Sequence, residues 1–204
     1  IIEKVKKLLI TTLKETRVLA ENGPADDSKF STVLLGLYRT SYNTLGDISV
    51  LATWPASGSS ALDLTRKIIE IGVTVEYMLM KGKEDKAALF QDYLFVQLHE
   101  EHAFLESLGE SPALLHDDIA DGVASAERQY EGLSAKIKKN NSWAGKSVER
   151  MISDLFENDV IEGPEKSRLV QAYVWGCRLN HPNPLVTRAH LNQEDWVDAE
   201  EYYL

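Results

Sequence analysis

Apolar residues recur along this chain at helical spacing, and nowhere do they alternate with polar ones for long enough to make a strand. The opening run IIEKVKKLLITTLKETRVLAE puts Ile1, Ile2, Val5, Leu8, Leu9 and Leu13 on one helical face, and Gly23 and Pro24 stop it. A second helix is expected from about Ser28 to Trp54, ended by Pro55 and the small polar residues behind it. The third, Ser60 to about Met80, opens on serine caps and closes before Gly82. A fourth covers about Lys83 to Leu108. A fifth begins at Ser111-Pro112 and runs to a Lys- and Asn-rich end at Asn141, the charge order a helix dipole favours. The NSWAGKS stretch reads as a turn, Ser147 to Asp159 as a short helix, and Gly163 to Asn180 as the last long helix, with Pro164 in its first turn. The pattern predicts an all-α, single-domain helical bundle of about six to seven helices over residues 1–185. An acidic, aromatic tail follows at 186–204.

The third helix carries the most information. Leu62, Leu64, Ile68, Ile69, Ile71, Val73, Val75, Met78 and Leu79 make it apolar nearly all round, the pattern of a helix central to a bundle. Its polar residues, Asp63, Arg66, Lys67, Glu70, Thr74 and Tyr77, fall in one narrow stripe. That stripe faces either a strip of solvent or an internal polar cleft. In both cases Arg66 and Glu70 are one turn apart and able to pair.

Partners for a cleft would come from the last helix. There Leu169, Val170, Ala172, Tyr173, Val174 and Cys177 form an expected buried face, and Arg168, Gln171, Trp175 and Arg178 a second one. His181 stands before Pro182, which biases it out of the helix. Its structural use is to cap the last carbonyls. Its functional use is as a general base near neutral pH, with Arg178 or Arg66 neutralising developing charge. His181, Arg66, Glu70 and Arg178 are therefore the candidate catalytic residues.

Charge narrows the partners. With 22 Lys+Arg against 32 Asp+Glu the formal net charge is −10, which repels phosphate backbones at long range. Cys177 is the lone cysteine, so no internal disulfide forms, and a reducing cytoplasm is the expected compartment. No charge-free apolar run has membrane-spanning length, and no secretory signal pattern is visible.

Other motifs carry less. His99 and His102 in LHEEHAF are three apart, whereas the zincin helix needs His-Glu-x-x-His and a di-iron site needs Glu-x-x-His on two helices. Both histidines are expected to be solvated on a charged face, with metal-dependent hydrolysis only an outlying possibility and no metal or cofactor called for. Cys177 sits in an apolar run, where a thiol is usually inert. There is no Walker loop, no G-x-S-x-G elbow and no dinucleotide fingerprint.

Three segments in order, TRKIIEIGVTVEYML, YEGLSAKIKKNNSWAGKSVERM and AYVWGCRLNHPNPLV, resemble a widespread bacterial family of uncharacterised helical proteins, a domain of unknown function. Its marks are an Arg-x-x-x-Glu helix, a Trp-x-Gly-Lys-Ser turn and a C-terminal His-Pro-x-Pro. The resemblance spans roughly Leu62 to Leu185 and implies an all-helical domain with a polar group of Arg66, Glu70 and His181. The family usually has a serine a turn before the histidine. This chain has Gly176 or Cys177 there, so no role needing that hydroxyl carries over.

A looser similarity is to the HEPN superfamily of helical bundles from toxin–antitoxin and phage-defence systems, whose active members are metal-independent ribonucleases with an Arg a short way before a His. Here only Leu179 and Asn180 separate Arg178 from His181, so Arg66 would have to bring the charge from another helix. Two functions are expected to compete. One is an interaction module, with a protein partner or self-association, in stress or phage defence. The other is an HEPN-like ribonuclease acting on RNA through His181, with a dimer needed to build a basic groove.

Overall fold

The computed structural model describes residues 26–51, 58–109, 117–140 and 142–180. The amphipathic run near the start, His181 and the acidic tail lie outside the described residues. Within them are seven helices and no strand: α1 (Lys29–Leu51), α2 (Gly58–Leu79), α3 (Lys83–Ser107), α4 (Asp117–Gly132), α5 (Ala135–Lys138), α6 (Val148–Glu157) and α7 (Gly163–Asn180). The chain is an all-α bundle, as its periodicity predicts.

The helix limits have local causes. Asp26 and Ser28 prepare the start of α1: the Ser28 amide donates to the Asp26 carboxylate, and Ser28 Oγ accepts from the Ser31 amide. Glu84 of α3 adds a cap from outside, accepting from the Phe30 amide at 3.3 Å. Between α2 and α3, Gly82 has φ 84°, a left-handed conformation that lets a new helix begin almost where the last one ended. At the end of α6 the amides of Asp159 and Val160 return to the carbonyls of Phe156 and Leu155, with Asp159 left-handed at φ 56°.

One expected helix is two. The fifth stops at Gly132, and Ser134, in an extended conformation, starts α5 by accepting from the Ile137 amide. A glycine followed by a capping serine ends a helix even where apolar spacing continues. Lys138 then folds back, donating to the Glu131 carbonyl and lying 4.6 Å from the Tyr130 ring centroid.

Helix α2 is the central element: α1, α3, α6 and α7 all pack against it. The core joins Phe30 and Val33 of α1, Val73 and Met78 of α2, Ala87 of α3, Met151, Ile152 and Leu155 of α6, and Ile161. Trp143 enters from the turn before α6. Its ring meets Tyr77 edge-on at 6.0 Å and Phe90 edge-on at 5.4 Å, so one side chain ties α2 to α3.

The turn is shaped to deliver that ring. Ser142 Oγ accepts from the Lys146 amide and donates to the Lys146 carbonyl, and Gly145 takes φ 62° against the Asn140 side chain. Ser147 caps α6 by accepting from the Arg150 amide. Lys146 Nζ then reaches forward to Asp154 Oδ2 at 2.5 Å, and Arg150 Nε meets Asp154 Oδ1 at 3.1 Å. Asp154 is buried, so these two cations offset the desolvation of its charge.

Two substitutions separate packing from charge in this turn. Trp143→Ala removes the aromatic bridge and is expected to cost about 3–5 kcal/mol. Lys146→Met leaves Asp154 with Arg150 alone and is expected to cost about 1–3 kcal/mol, because the lysine itself is partly exposed. Denaturant unfolding of both variants checks the order, and a larger loss for Lys146→Met would show that charge dominates.

Candidate functional site at the seam of two helices

The polar stripe of the central helix is partly covered. Thr74 is buried, Arg66 and Glu70 keep only 27% and 33% of their side-chain surface, and α7 and α6 lie along the stripe. Thr74 is out of solvent, while Arg66 and Glu70 form their one-turn pair with part of each side chain still exposed. Lys67, by contrast, is exposed.

The seam with α7 is unusually close at Gly176. A Cβ built on this buried glycine would lie 2.7 Å from Arg66 Cβ and 3.1 Å from its Cγ, closer than atoms in contact can approach. The backbone of α7 thus rests on the stem of Arg66, and only a residue without a side chain fits there. Spacing alone did not single out Gly176. A lone glycine inside a helical run, costing about 1 kcal/mol of helix propensity, was the available sign of such a contact.

Arg66 and Glu70 form a long ion pair, Nε to Oε1 at 3.7 Å, beyond hydrogen-bonding reach. Arg66 Nε is shielded from solvent and has no acceptor. Across the seam, Tyr173 stands next to Cys177 and Glu70. Its phenol is pushed far above the ordinary tyrosine range, first by burial and then by those two neighbours. It stays protonated beside the Glu70 carboxylate. Four polar side chains, Arg66, Glu70, Tyr173 and Cys177, are thereby gathered between α2 and α7.

Not every expectation for α7 holds. Ala172 is exposed rather than part of the buried face, and Cys177 is half-buried beside a hydroxyl rather than enclosed in apolar core. Arg178 belongs to α7 by its backbone, while its side chain and all of His181 lie outside the described residues.

His99 and His102 are not simply solvated. Both Nδ1 atoms point at one carboxylate of α4, His99 to Glu127 Oε2 at 2.8 Å and His102 to Glu127 Oε1 at 3.1 Å. His99 also stacks on Tyr130 at 3.7 Å. The pair is a fastening between α3 and α4, and among the described residues no group of three or more His, Cys, Asp or Glu is arranged to hold a metal ion. Hydrogen bonds from His102 and His99 hold the Glu127 carboxyl below its ordinary value of 4.5, with burial opposing them.

The family of unknown function DUF5677 matches residues 31–199. No curated protein and no solved structure matches the chain. No helix among the described residues is long and apolar enough to cross a membrane.

Two measurements follow from this geometry. Gly176→Ala gains helix propensity of about 1 kcal/mol but drives a methyl into Arg66, an overpacking cost of about 1–3 kcal/mol. A net loss of stability is expected, and a stabilised variant would show that the seam is looser than described. For Glu127 the folded carboxyl titrates below its unfolded value. Its contribution is therefore complete above the unfolded pKa and lost as pH falls through the folded one. The stability difference between wild type and Glu127→Gln is expected to shrink on acidification below about 4.5, read from unfolding midpoints across that range.

The matched residues 31–199 include both helices of the seam, α2 and α7, and the chain belongs to the DUF5677 family of unknown function.

Proposed function

We propose that the seam between α2 and α7 is the working site of this domain. It acts as an interaction module of the kind found in bacterial stress or phage defence, with Arg66, Glu70 and His181 as its recognition group. The observation that carries this reading is the Arg66 Nε–H, shielded from solvent and without an acceptor. A buried donor left unpaired costs about 1–3 kcal/mol, and that cost is recovered when a partner brings an acceptor. Glu70 stands too far away to satisfy it but near enough to hold the guanidinium in place. Tyr173, kept protonated, supplies a second donor at the same seam.

A second reading has metal-independent ribonuclease chemistry at the same place. His181 takes a proton from the ribose hydroxyl, and Arg66 or Arg178 steadies the phosphate. It is supported by one observation: Arg66 lies against α7 at Gly176, and His181 follows that helix in sequence. The net charge of −10 weighs against long RNA unless two chains join their basic surfaces.

Cells expressing the protein and challenged with a phage panel test the first reading. Arg66→Gln, with helical content unchanged by circular dichroism, is expected to abolish any protection. Protection kept in full by that variant sinks the role of Arg66. Cleavage of a mixed RNA pool in EDTA tests the second. Activity lost in His181→Ala supports the nuclease, and activity equal to wild type in that variant removes it.

A further inference from the structure

We propose that Lys86, Lys146 and Tyr77, at the far end of α2 from Arg66, form a binding site for a phosphate-type oxyanion. The two ammonium groups share one aromatic ring, with Lys86 Nζ 4.4 Å and Lys146 Nζ 5.6 Å from the Tyr77 centroid. Arg150 adds a third cation one step away, on the other oxygen of Asp154. Against these three charges stands a single buried carboxylate, Asp154, and Glu157 meets only the outer end of Arg150. The cluster is therefore locally cationic in a chain of net charge −10.

The surplus rests on Lys86. Its ammonium donates to a neutral acceptor, the Tyr77 carbonyl at 2.6 Å near the end of α2. An ammonium has three N–H donors, so two remain for a ligand. Lys146 spends a donor on Asp154 and keeps others beside the same ring. The remaining donors of two cations beside one ring match the several acceptor oxygens of a tetrahedral oxyanion better than the two of a carboxylate. Burial and the charge of Lys146 both press Lys86 toward its neutral form, only partly relieved by Asp154, and a bound anion reverses that pressure. The acidity of the rest of the chain selects a compact anion, a free phosphate or a phosphate monoester, over an extended nucleic acid.

Lysine Hε–Cε resonances of the full chain, followed during titration with inorganic phosphate and separately with a nucleoside monophosphate at constant ionic strength, test the site. Lys83 and Lys166 are internal controls, because each lies over one phenylalanine ring without a second lysine beside it. Saturable shifts confined to Lys86 and Lys146 are expected, with Lys86→Met weakening binding about tenfold or more and Lys86→Arg retaining it. Tighter saturation by inorganic phosphate identifies the free ion as ligand, and tighter saturation by the monophosphate identifies an ester. Shifts at Lys86 and Lys146 no larger than those at Lys83 and Lys166 would overturn the proposal without any variant. So would a folded Lys86→Met protein that binds phosphate as wild type does.

Discussion

A helix that is apolar round most of its circumference has to be covered on every side, and whatever polar side chains it carries are covered with it. Helix α2 is in that position, enclosed by α1, α3, α6 and α7. Burying its Val73 and Met78 contributes about 1.5–3 kcal/mol each. The same enclosure takes Arg66, Glu70 and Thr74 at least partly out of water. A polar group so placed costs free energy unless it finds a partner. Thus both ends of α2 face one demand: a covered polar group needs a partner, or its cost remains.

The two ends meet that requirement differently. At the Tyr77 end the partners come from a turn. Trp143 closes the apolar side, while Lys146 and Arg150 satisfy Asp154 so completely that its carboxylate has a cation on each oxygen. At the Arg66 end the partner helix contributes bulk through its backbone, since Gly176 has no side chain to offer. Glu70 is the matching charge there, and at 3.7 Å it falls short of a hydrogen bond. The Arg66 end is therefore left with an unmet donor on α2 itself, while at the Tyr77 end Asp154 is fully paired and the spare donors belong to Lys86. A joint with unmet hydrogen bonding is the better place to look for a ligand, because binding there gains an interaction the fold itself does not make.

Sequence patterning made much of the scaffold legible and little of this matching. The 3.6-residue period gave α1, α2, α3, α6 and α7 within a few residues of where they lie, since each is amphipathic or fully apolar over several turns. The stripe of polar residues on α2 was visible for the same reason. What covers that stripe was not, because a helix period says which face is polar and nothing about which helix packs on it. The Gly176–Arg66 contact joins residues from α2 and α7, and the Glu127 fastening joins α4 to histidines more than twenty positions earlier. Such pairs follow from topology. Local signals failed once even within a helix: apolar spacing continued across Gly132 to Ser134, and backbone and capping preferences broke the helix there.

Charge then decides what kind of ligand an unmet cation on this chain can meet. Attraction between exposed charges fades beyond a Debye length of about 8 Å at physiological ionic strength, so an approaching molecule responds to the local balance rather than to the whole net charge. Around Arg66 that balance is nearly neutral, since Glu70 lies beside it, and recognition there rests on direction and fit more than on long-range pull. Around Lys86 the balance is positive, because Asp154 is already committed to Lys146 and Arg150. A long polyanion would extend past either site onto an acidic surface and be repelled along most of its length. A compact group that ends within one Debye length meets only the cation. The acidic surface is in this sense a filter on ligand size, and the same fold that leaves a donor unmet on its central helix also limits what can reach it.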